Sequence, residues 1–345
     1  MKAEVLVRFV WQHVTVLGGN VDLLELLAGL NLWLEDTLRI ARYLVDGGLA
    51  QAANGKLILQ ATSHGVDEKF LRRWQWLAKW DHVYLERQSL TTAECALLKK
   101  FNLLVKGRPS NNDKIDQYYN LPETNVARLR YVAREPMVEQ KSICFLGDDD
   151  LTSLLFALSG RFARVVVYDI DERIVNYINQ LSRKLGLDNY RAVLHDYRRP
   201  FRDNWRFDIF HSDPPATIEA IDLVLQVARA KAEPLASFYL SWPEFICDPR
   251  YLTSLQKVYA KNGWLVTAKL PEFNHYDNAC FFNYITAEDW RTFKMFNLRK
   301  RDILVAPALQ RYCLTRLLLS ASPKKRIGKW HKDIYLSNLH KIPSK

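Results

Sequence analysis

Three consecutive carboxylates, Asp148-Asp149-Asp150, follow Gly147 between two segments of contrasting character. Lys141–Leu146 reads as a short buried strand and Leu151–Ser159 as a helix. A strand-to-helix turn of this kind offers backbone N–H groups and the positive end of a helix, which suits an anion. Three carboxylates there repel phosphate and attract a cation. The turn is therefore read as a site for a positively charged, amine-bearing ligand.

The same reasoning extends along the chain, because ligands of doubly wound sheets lie at the carboxyl ends of the strands. Ile143–Leu146, Arg164–Tyr168, Arg191–Leu194, Phe207–His211 and Leu235–Ser241 have strand character. They end in Gly147-Asp148-Asp149-Asp150, Asp169-Ile170-Asp171, His195-Asp196, Ser212-Asp213-Pro214-Pro215 and Trp242-Pro243-Glu244. Turns favour Asp, but an acid at every one of these ends describes an acidic crevice. Asp169 stands about 20 residues beyond the first turn, where an acid accepts hydrogen bonds from ribose hydroxyls. Asp171 suits the N-cap of a helix over Glu172–Leu185 better, which leaves Asp169 for the ribose. Asp196 either receives the amino group of adenine or is an ordinary turn residue, with nothing in the spacing to choose between them. Pro214 and Pro215 fix the backbone and remove two donors, so that the Asp213 side chain and nearby carbonyls face the crevice. Gly147, Asp169, Asp196 and Pro214 are thus candidate nucleoside-binding positions. Asp148, Asp150, Asp213 and Glu244 are candidate cation-binding positions. Asp116, just before the sheet, is placed to reach the crevice, although spacing alone favours an ordinary loop residue. Tyr118 and Tyr119 beside it would pack on the alkyl chains of a polyamine.

Other chemistries find no residues to carry them. His195, His211 and His275 have no recognised metal-ligand spacing, and neither a nucleophile elbow nor a phosphate loop is present. The five cysteines form no CxxC pair and read as buried, reduced thiols. Asp-Pro-Pro also occurs in nucleic-acid N-methyltransferases, followed by an aromatic residue that stacks on the extruded base. Ala216 follows here and offers nothing to stack. An S-adenosylmethionine-dependent methyltransferase acting on nucleic acid is the alternative reading. A non-catalytic regulator is the third.

The elements expected to position these residues fall into two folded parts and a tail. Val21–Leu30 and Leu34–Val45 have helical periodicity, and Asn54-Gly55 joins two short strand segments, Leu49–Ala53 and Lys56–Gln60. Helix, helix, hairpin is the order of a winged helix. Arg39 and Arg42 on its second helix face Glu35, Asp36 and Asp46, a poor balance for reading DNA and a better one for a structural or dimerising module. A Trp-rich helix over Phe70–Trp80 and another over Thr91–Phe101 are expected, and the turn-rich Lys106–Asn112 marks a boundary. Beyond it, strands and helices alternate, with Thr217–Lys231 helical, Trp264–Leu270 a strand and Ala279–Ile285 an antiparallel strand. The fold class is α/β, an N-terminal winged helix followed by a class I methyltransferase-like (Rossmann-like) doubly wound sheet. The expected partition is 1–106, 107–298 and a basic segment 299–345. Of the net charge of +11, the last segment carries +10, with 12 Lys/Arg against 2 Asp/Glu. A near-neutral body with a basic tail argues against a nucleic-acid-binding core and leaves RNA or partner contact to the tail. No apolar run spans a bilayer and Met1–Arg8 has no signal-peptide architecture, so a cytoplasmic protein is expected.

The runs KIDQYYNLPETNVAR (Lys114–Arg128), FLGDDDLTSLLFAL (Phe145–Leu158), VVVYDIDERIV (Val165–Val175) and FDIFHSDPPAT (Phe207–Thr217) resemble the branched-chain polyamine synthases, the N4-bis(aminopropyl)spermidine synthases. The resemblance covers about Asp113 to Glu272 and extends to an N-terminal winged helix. It implies transfer of aminopropyl groups from decarboxylated S-adenosylmethionine, as co-substrate, to the secondary amine of spermidine, with 5′-methylthioadenosine released. It also implies a cytoplasmic homodimer with no prosthetic group and no metal. Asp149 falls at the catalytic position and Asp116 at an acidic substrate-binding position. Glu244 corresponds to a third acidic position, where SWPEF departs from the family pattern. An acidic turn suits a donor ending in an ammonium group and repels the carboxylate of ordinary S-adenosylmethionine.

Overall fold

The computed structural model describes residues 10–11, 14, 19–29, 34–60, 90–242, 249–282, 285–306 and 311–320. The chain forms two compact units that interleave in sequence. One comprises Met1–Val83, Glu244–Leu252 and His275–Arg311, the other Tyr84–Pro243, Thr253–Asn274 and Tyr312–Lys345. The expected boundaries near 106 and 298 therefore follow chain order and not packing.

In the first unit, β1 (Asn20–Asp22) leads into α1 (Leu23–Gly29), and α2 (Leu34–Asp46) into the hairpin of β2 (Ala50–Ala53) and β3 (Lys56–Leu59). The three strands form one antiparallel sheet with β3 in the centre. Asn54 and Gly55 take positive φ, as a two-residue hairpin turn requires. Leu26, Leu38, Ala41, Leu44 and Leu57 form an apolar core with Phe293, Phe296 and Ile303 from the later part of the chain. The Trp-rich stretch Phe70–Trp80 lies outside the described residues.

The second unit is built on a seven-stranded sheet. Its chain passes from α3 (Thr92–Val105) and α4 (Pro122–Val132) into β4 (Ser142–Leu146), α5 (Thr152–Ser159), β5 (Arg164–Asp169), α6 (Glu172–Leu185) and β6 (Tyr190–Leu194). It continues through β7 (Phe207–Ser212), α7 (Ile218–Lys231), β8 (Ala232–Trp242), α8 (Pro249–Lys261), β9 (Trp264–His275) and β10 (Arg311–Leu319). The strand order is β6-β5-β4-β7-β8-β10-β9. β4, buried at all five positions, pairs in parallel with β5 and β7, and β10 runs antiparallel to β8. The chain winds outward from β4 to β6, then returns to β7 on the other side. This reversal opens a crevice between the ends of β4 and β7.

Two expectations are corrected. The segment expected as an antiparallel strand at Ala279–Ile285 begins as a 3-10 helix, Asn278–Phe281. The Asp277 side chain accepts the Ala279 N–H at 2.9 Å, and the Asn278 amide donates to the carbonyls of Ile303 and Ala306 at 2.9 and 3.1 Å. These local and tertiary bonds override the strand propensity of the aromatic run. The antiparallel strand is instead β10, inside the segment read as a basic tail. Its Arg316 donates to the Glu135 carboxylate at 2.7 and 2.9 Å and to Ser237 at 3.0 Å, so this cation is neutralised against the sheet. Net charge summed over the tail conceals a strand in which Cys313, Leu314, Leu317 and Leu319 are buried.

Helix α4 carries a buried cation, Arg128, with several hydrogen-bond partners. Pro122 starts the helix, where its missing N–H costs nothing. Thr91 and Glu94 form a reciprocal cap on α3, and Glu94 also receives Arg130 of α4 at 2.6 and 2.7 Å. That arginine holds the Glu94 carboxyl down at about 2. α4 is thus clamped in place, with Arg128 on its buried side.

The turn after β4 begins at Gly147, with φ of +80° and no atom within 4 Å of where a Cβ would stand. Gly147→Ala should therefore fold without a clash but lose about 1–2 kcal/mol from the left-handed backbone alone. Chemical denaturation at neutral pH measures this, and an unchanged midpoint would refute it.

Candidate active site

The crevice between β4 and β7 is lined by Gly147, Asp148 and Asp149 from the first turn, Asp169 and Ile170 after β5, and Asp196, Tyr197 and Arg198 after β6. Asp213, Pro214 and Pro215 after β7 and Asp116 with its neighbours Ile115 and Gln117 complete the polar wall, and Leu223 and Val224 of α7 add an apolar one. Most of the acids expected to converge do so. Asp116 takes φ of +53°, a left-handed conformation that Asp tolerates. Next to it, Gln117 donates to Asp171 at 3.0 Å and accepts the Asn112 N–H at 2.9 Å, which fastens this segment over the crevice.

The three acids of the turn have three different fates. Asp148 is buried, and its carboxylate accepts the Ser153 N–H at 3.1 and 3.2 Å as well as the Ser153 hydroxyl. It caps the start of α5. Burial and the neighbouring Asp150 charge push its carboxyl well above the usual range. Asp150 is also buried. One oxygen accepts the Thr152 N–H and hydroxyl at 3.1 and 2.7 Å; the other accepts the Asn120 amide at 2.6 Å and faces Arg128 at 3.3 Å. Asp148 and Asp150 were both expected to bind substrate cations, and the structure corrects this. Their oxygens are committed to a helix cap and to an internal arginine. Asp149 differs. Its Oδ2 is buried with no hydrogen-bond partner among the described residues. Burial, followed by the charges of Asp150, Asp213, Asp169 and Asp148, raises its carboxyl well above the usual value.

Asp213 keeps a side chain 20% exposed and accepts Arg128 at 2.8 Å and the Asn120 amide at 3.2 Å. Arg128 itself is 1% exposed and also donates to Asn274 at 2.8 Å, Ser241 at 2.9 Å and Thr152 at 3.3 Å. Asp169 accepts the N–H groups of Asp148 and Asp171 at 3.0 and 2.8 Å, while burial pushes its carboxyl up to about 6. Asp171 caps α6 through the Arg173 N–H at 3.0 Å, as its position suggested. Asp196 reaches the crevice but is held by Arg198 at 2.8 and 2.9 Å, which lowers its carboxyl. Pro214 lines the crevice as expected. Tyr118 and Tyr119 are not among the lining residues; Tyr119 bonds the Pro109 carbonyl at 2.6 Å and lies under the Arg108 guanidinium. The described apolar lining of the crevice includes Ile115, Leu223 and Val224 instead. Glu244 lies outside the described residues.

Sequence reasoning missed Arg128, Asn120, Gln117 and Arg198. The signal for the first three was their place in the run Lys114–Arg128; nothing in the spacing said that a helix before the sheet would send a guanidinium to acids 22 and 85 positions away.

Comparison with known proteins adds a family. The branched-chain polyamine synthase A C-terminal domain profile matches residues 96–313. The N(4)-bis(aminopropyl)spermidine synthase of Thermococcus kodakarensis is 34% identical over 188 residues, 53% of this chain and 53% of that one. The enzyme of the same name from Methanocaldococcus jannaschii is 27% identical over 271 residues, 76% of this chain and 74% of that one. The matched region thus spans about half the length of the first relatives and more of the second. The branched-chain polyamine synthase of Thermus thermophilus, solved with N4-aminopropylspermidine and 5′-methylthioadenosine, superposes with a TM-score of 0.73 at 22% identity, covering 98% of each chain. That likeness is one of fold.

An unpartnered carboxylate held among other acids destabilises the folded chain once ionised. Because the folded value is raised, the favourable contribution is complete below the unfolded value near 4 and is lost as pH rises through the folded one. Asp149→Asn should therefore melt higher than the parent at pH 8, with the difference vanishing at pH 4. Melting curves across this range check it, and a variant less stable at pH 8 would refute it.

Proposed function

Because the chain belongs to the branched-chain polyamine synthase A family, we propose that it is an aminopropyltransferase, moving aminopropyl groups from decarboxylated S-adenosylmethionine to the secondary amine of spermidine or a related polyamine. The observation that carries this reading is Asp149: among the acids of the turn, it alone has a buried oxygen without a partner, at the mouth of a crevice walled by further carboxylates.

The chemistry asks for such a group. The amine nitrogen attacks the methylene carbon beside the sulfonium, a C–N bond forms, the C–S bond breaks, and its electron pair stays on sulfur. The nucleophile must give up a proton, since a protonated amine has no lone pair to offer. A carboxylate near the amine has opposed effects. It holds the cation, and a pair 4 Å apart gains roughly 4 kcal/mol at an effective dielectric of 20. It also favours the unreactive protonated form. A base with a raised value lessens this conflict, because it binds the proton more tightly as it receives it. We assign proton acceptance to Asp149 and anchoring of the outer ammonium groups to Asp116 and Asp213. Asp169 accepts the ribose hydroxyls, Gly147 and Pro214 bound the nucleoside pocket, and Asp196 lies at its adenine end. The product nucleoside is 5′-methylthioadenosine.

The N-terminal unit, with its helices and hairpin, is proposed to be a winged helix serving a homodimer, and the enzyme to work in the cytoplasm. No helix among the described residues is long and apolar enough to cross a membrane. A nucleic-acid methyltransferase has less support, since Ala216 leaves the Asp-Pro-Pro loop without a stacking aromatic.

Mass spectrometry after incubation with decarboxylated S-adenosylmethionine and a panel of linear polyamines should detect added aminopropyl groups; methyl transfer from S-adenosylmethionine instead would overturn the proposal. Asp149→Asn should fold and lose at least about 100-fold in turnover, the ordinary range for a general base. In the parent, turnover should climb with pH through the raised value of Asp149, and a rate independent of pH from 5 to 9 would remove the base. Asp169→Ala should weaken 5′-methylthioadenosine binding far more than spermidine binding by calorimetry; an unchanged nucleoside affinity would refute the ribose role.

A further inference from the structure

Arg128 stands apart from the crevice, and its partners explain the crevice. It is almost wholly buried. Nη1 reaches Asp150, Nη2 reaches Asp213 and Ser241, and Nε reaches Asn274. Asp150 belongs to the turn after β4 and Asp213 to the loop after β7, so one guanidinium joins the two lips of the crevice. Asn120 does the same with one amide, at 2.6 and 3.2 Å. The groups facing Asp149 are Asp148 and Asp150 on its own turn, Asp169 from β5 and Asp213 from the loop after β7. Asp116, Asp196 and Arg198 line the same crevice. The two carboxylates that act most strongly on Asp149 are Asp150 and Asp213, and these are the two that Arg128 engages.

We propose that Arg128 is the positioning residue of the site: it ties the Asp213-Pro214-Pro215 loop to the acidic turn and offsets the charge of Asp150 and Asp213, so that Asp149 alone meets the reacting amine. Arg128 touches no reacting atom in this scheme. It acts through the two acids. Without it, both lose their cationic partner beside Asp149. They then hold the amine as its cation and make Asp149 harder to ionise. The inference rests on the aminopropyltransferase reading for its kinetic consequence and not for its electrostatic one.

The test separates the two. The ionisation of the Asp149 carboxyl is followed by infrared difference spectra of each variant against its Asp149→Asn counterpart, with no substrate present. Arg128→Gln should move that ionisation upward by roughly one pH unit or more, the ordinary effect of a nearby charge. Arg128→Gln/Asp150→Asn, with one carboxylate removed as well, should bring it back. Asp150→Asn alone leaves Arg128 in excess and should move it downward, which keeps the proposal testable if Arg128→Gln fails to fold. In turnover assays, Arg128→Gln should lower kcat at least tenfold at pH 7 with KM for spermidine unchanged or lower, and higher pH should recover part of the loss. Arg128→Lys should recover less than the double variant, because an ammonium lacks the fork that spans both aspartates. An Asp149 ionisation indifferent to these changes would overturn the proposal, as would a raised KM with no pH shift, the mark of a merely structural residue. Shifts in the spectra without aminopropyl transfer by any form would overturn the activity and leave the role of Arg128 intact.

Discussion

Four carboxylates on one turn and one adjacent loop cannot all be buried and ionised without compensation, and the arrangement of this site follows from that constraint. Taking an ion out of water costs several kcal/mol even after relaxation. The chain meets the cost differently for each acid. Asp148 turns to Ser153 at the start of a helix, where the backbone offers donors and a favourable dipole. Asp150 and Asp213 share one buried guanidinium. Asp149 receives no such partner, and burial together with the surrounding acid charges pushes its carboxyl above the ordinary range. A residue left uncompensated in a crevice of otherwise satisfied carboxylates is a residue held ready for a ligand that brings positive charge.

The same economy shapes the fold around the site. The reversal of strand order between β4 and β7 places two turns side by side, and each supplies acids because each ends a buried parallel strand. The cation that reconciles them comes from outside the sheet, on α4. That helix is itself fixed by the pairing of Arg130 with Glu94. Removing one partner from a buried ion pair typically costs 3–5 kcal/mol. The Arg128 network is therefore a point where stability and activity meet. Leu151 adds to the tension. It is fully buried and holds φ of +60° at the entry to α5, a left-handed conformation that is uncommon for a branched side chain.

A polycation is the natural complement of this crevice. The apolar wall of Leu223 and Val224 accommodates methylene segments, and the carboxylates at its rim are spaced among them. The proposed donor, which ends in an ammonium group, would meet the acidic turn without repulsion. Arg316, the described cation furthest along the chain, is paired with Glu135 and does not line the crevice.

The sequence by itself determined the elements that repeat. Strand and helix periodicity, the Asn-Gly hairpin, the cap at Asp171 and the acid at each parallel strand end are local patterns, written in residues close to one another. The family resemblance was also legible, because it resides in four uninterrupted runs. Tertiary structure alone decided which acids remain available. Asp148, Asp149 and Asp150 are the same residue three times over, and only the positions of Ser153, Asn120 and Arg128 around them distinguish a cap, an open carboxylate and an ion pair. The same holds for β10, whose place beside β8 depends on a pairing some 75 residues apart in the chain. Charge and periodicity are sums over neighbours in sequence, whereas ionisation and burial depend on neighbours in space.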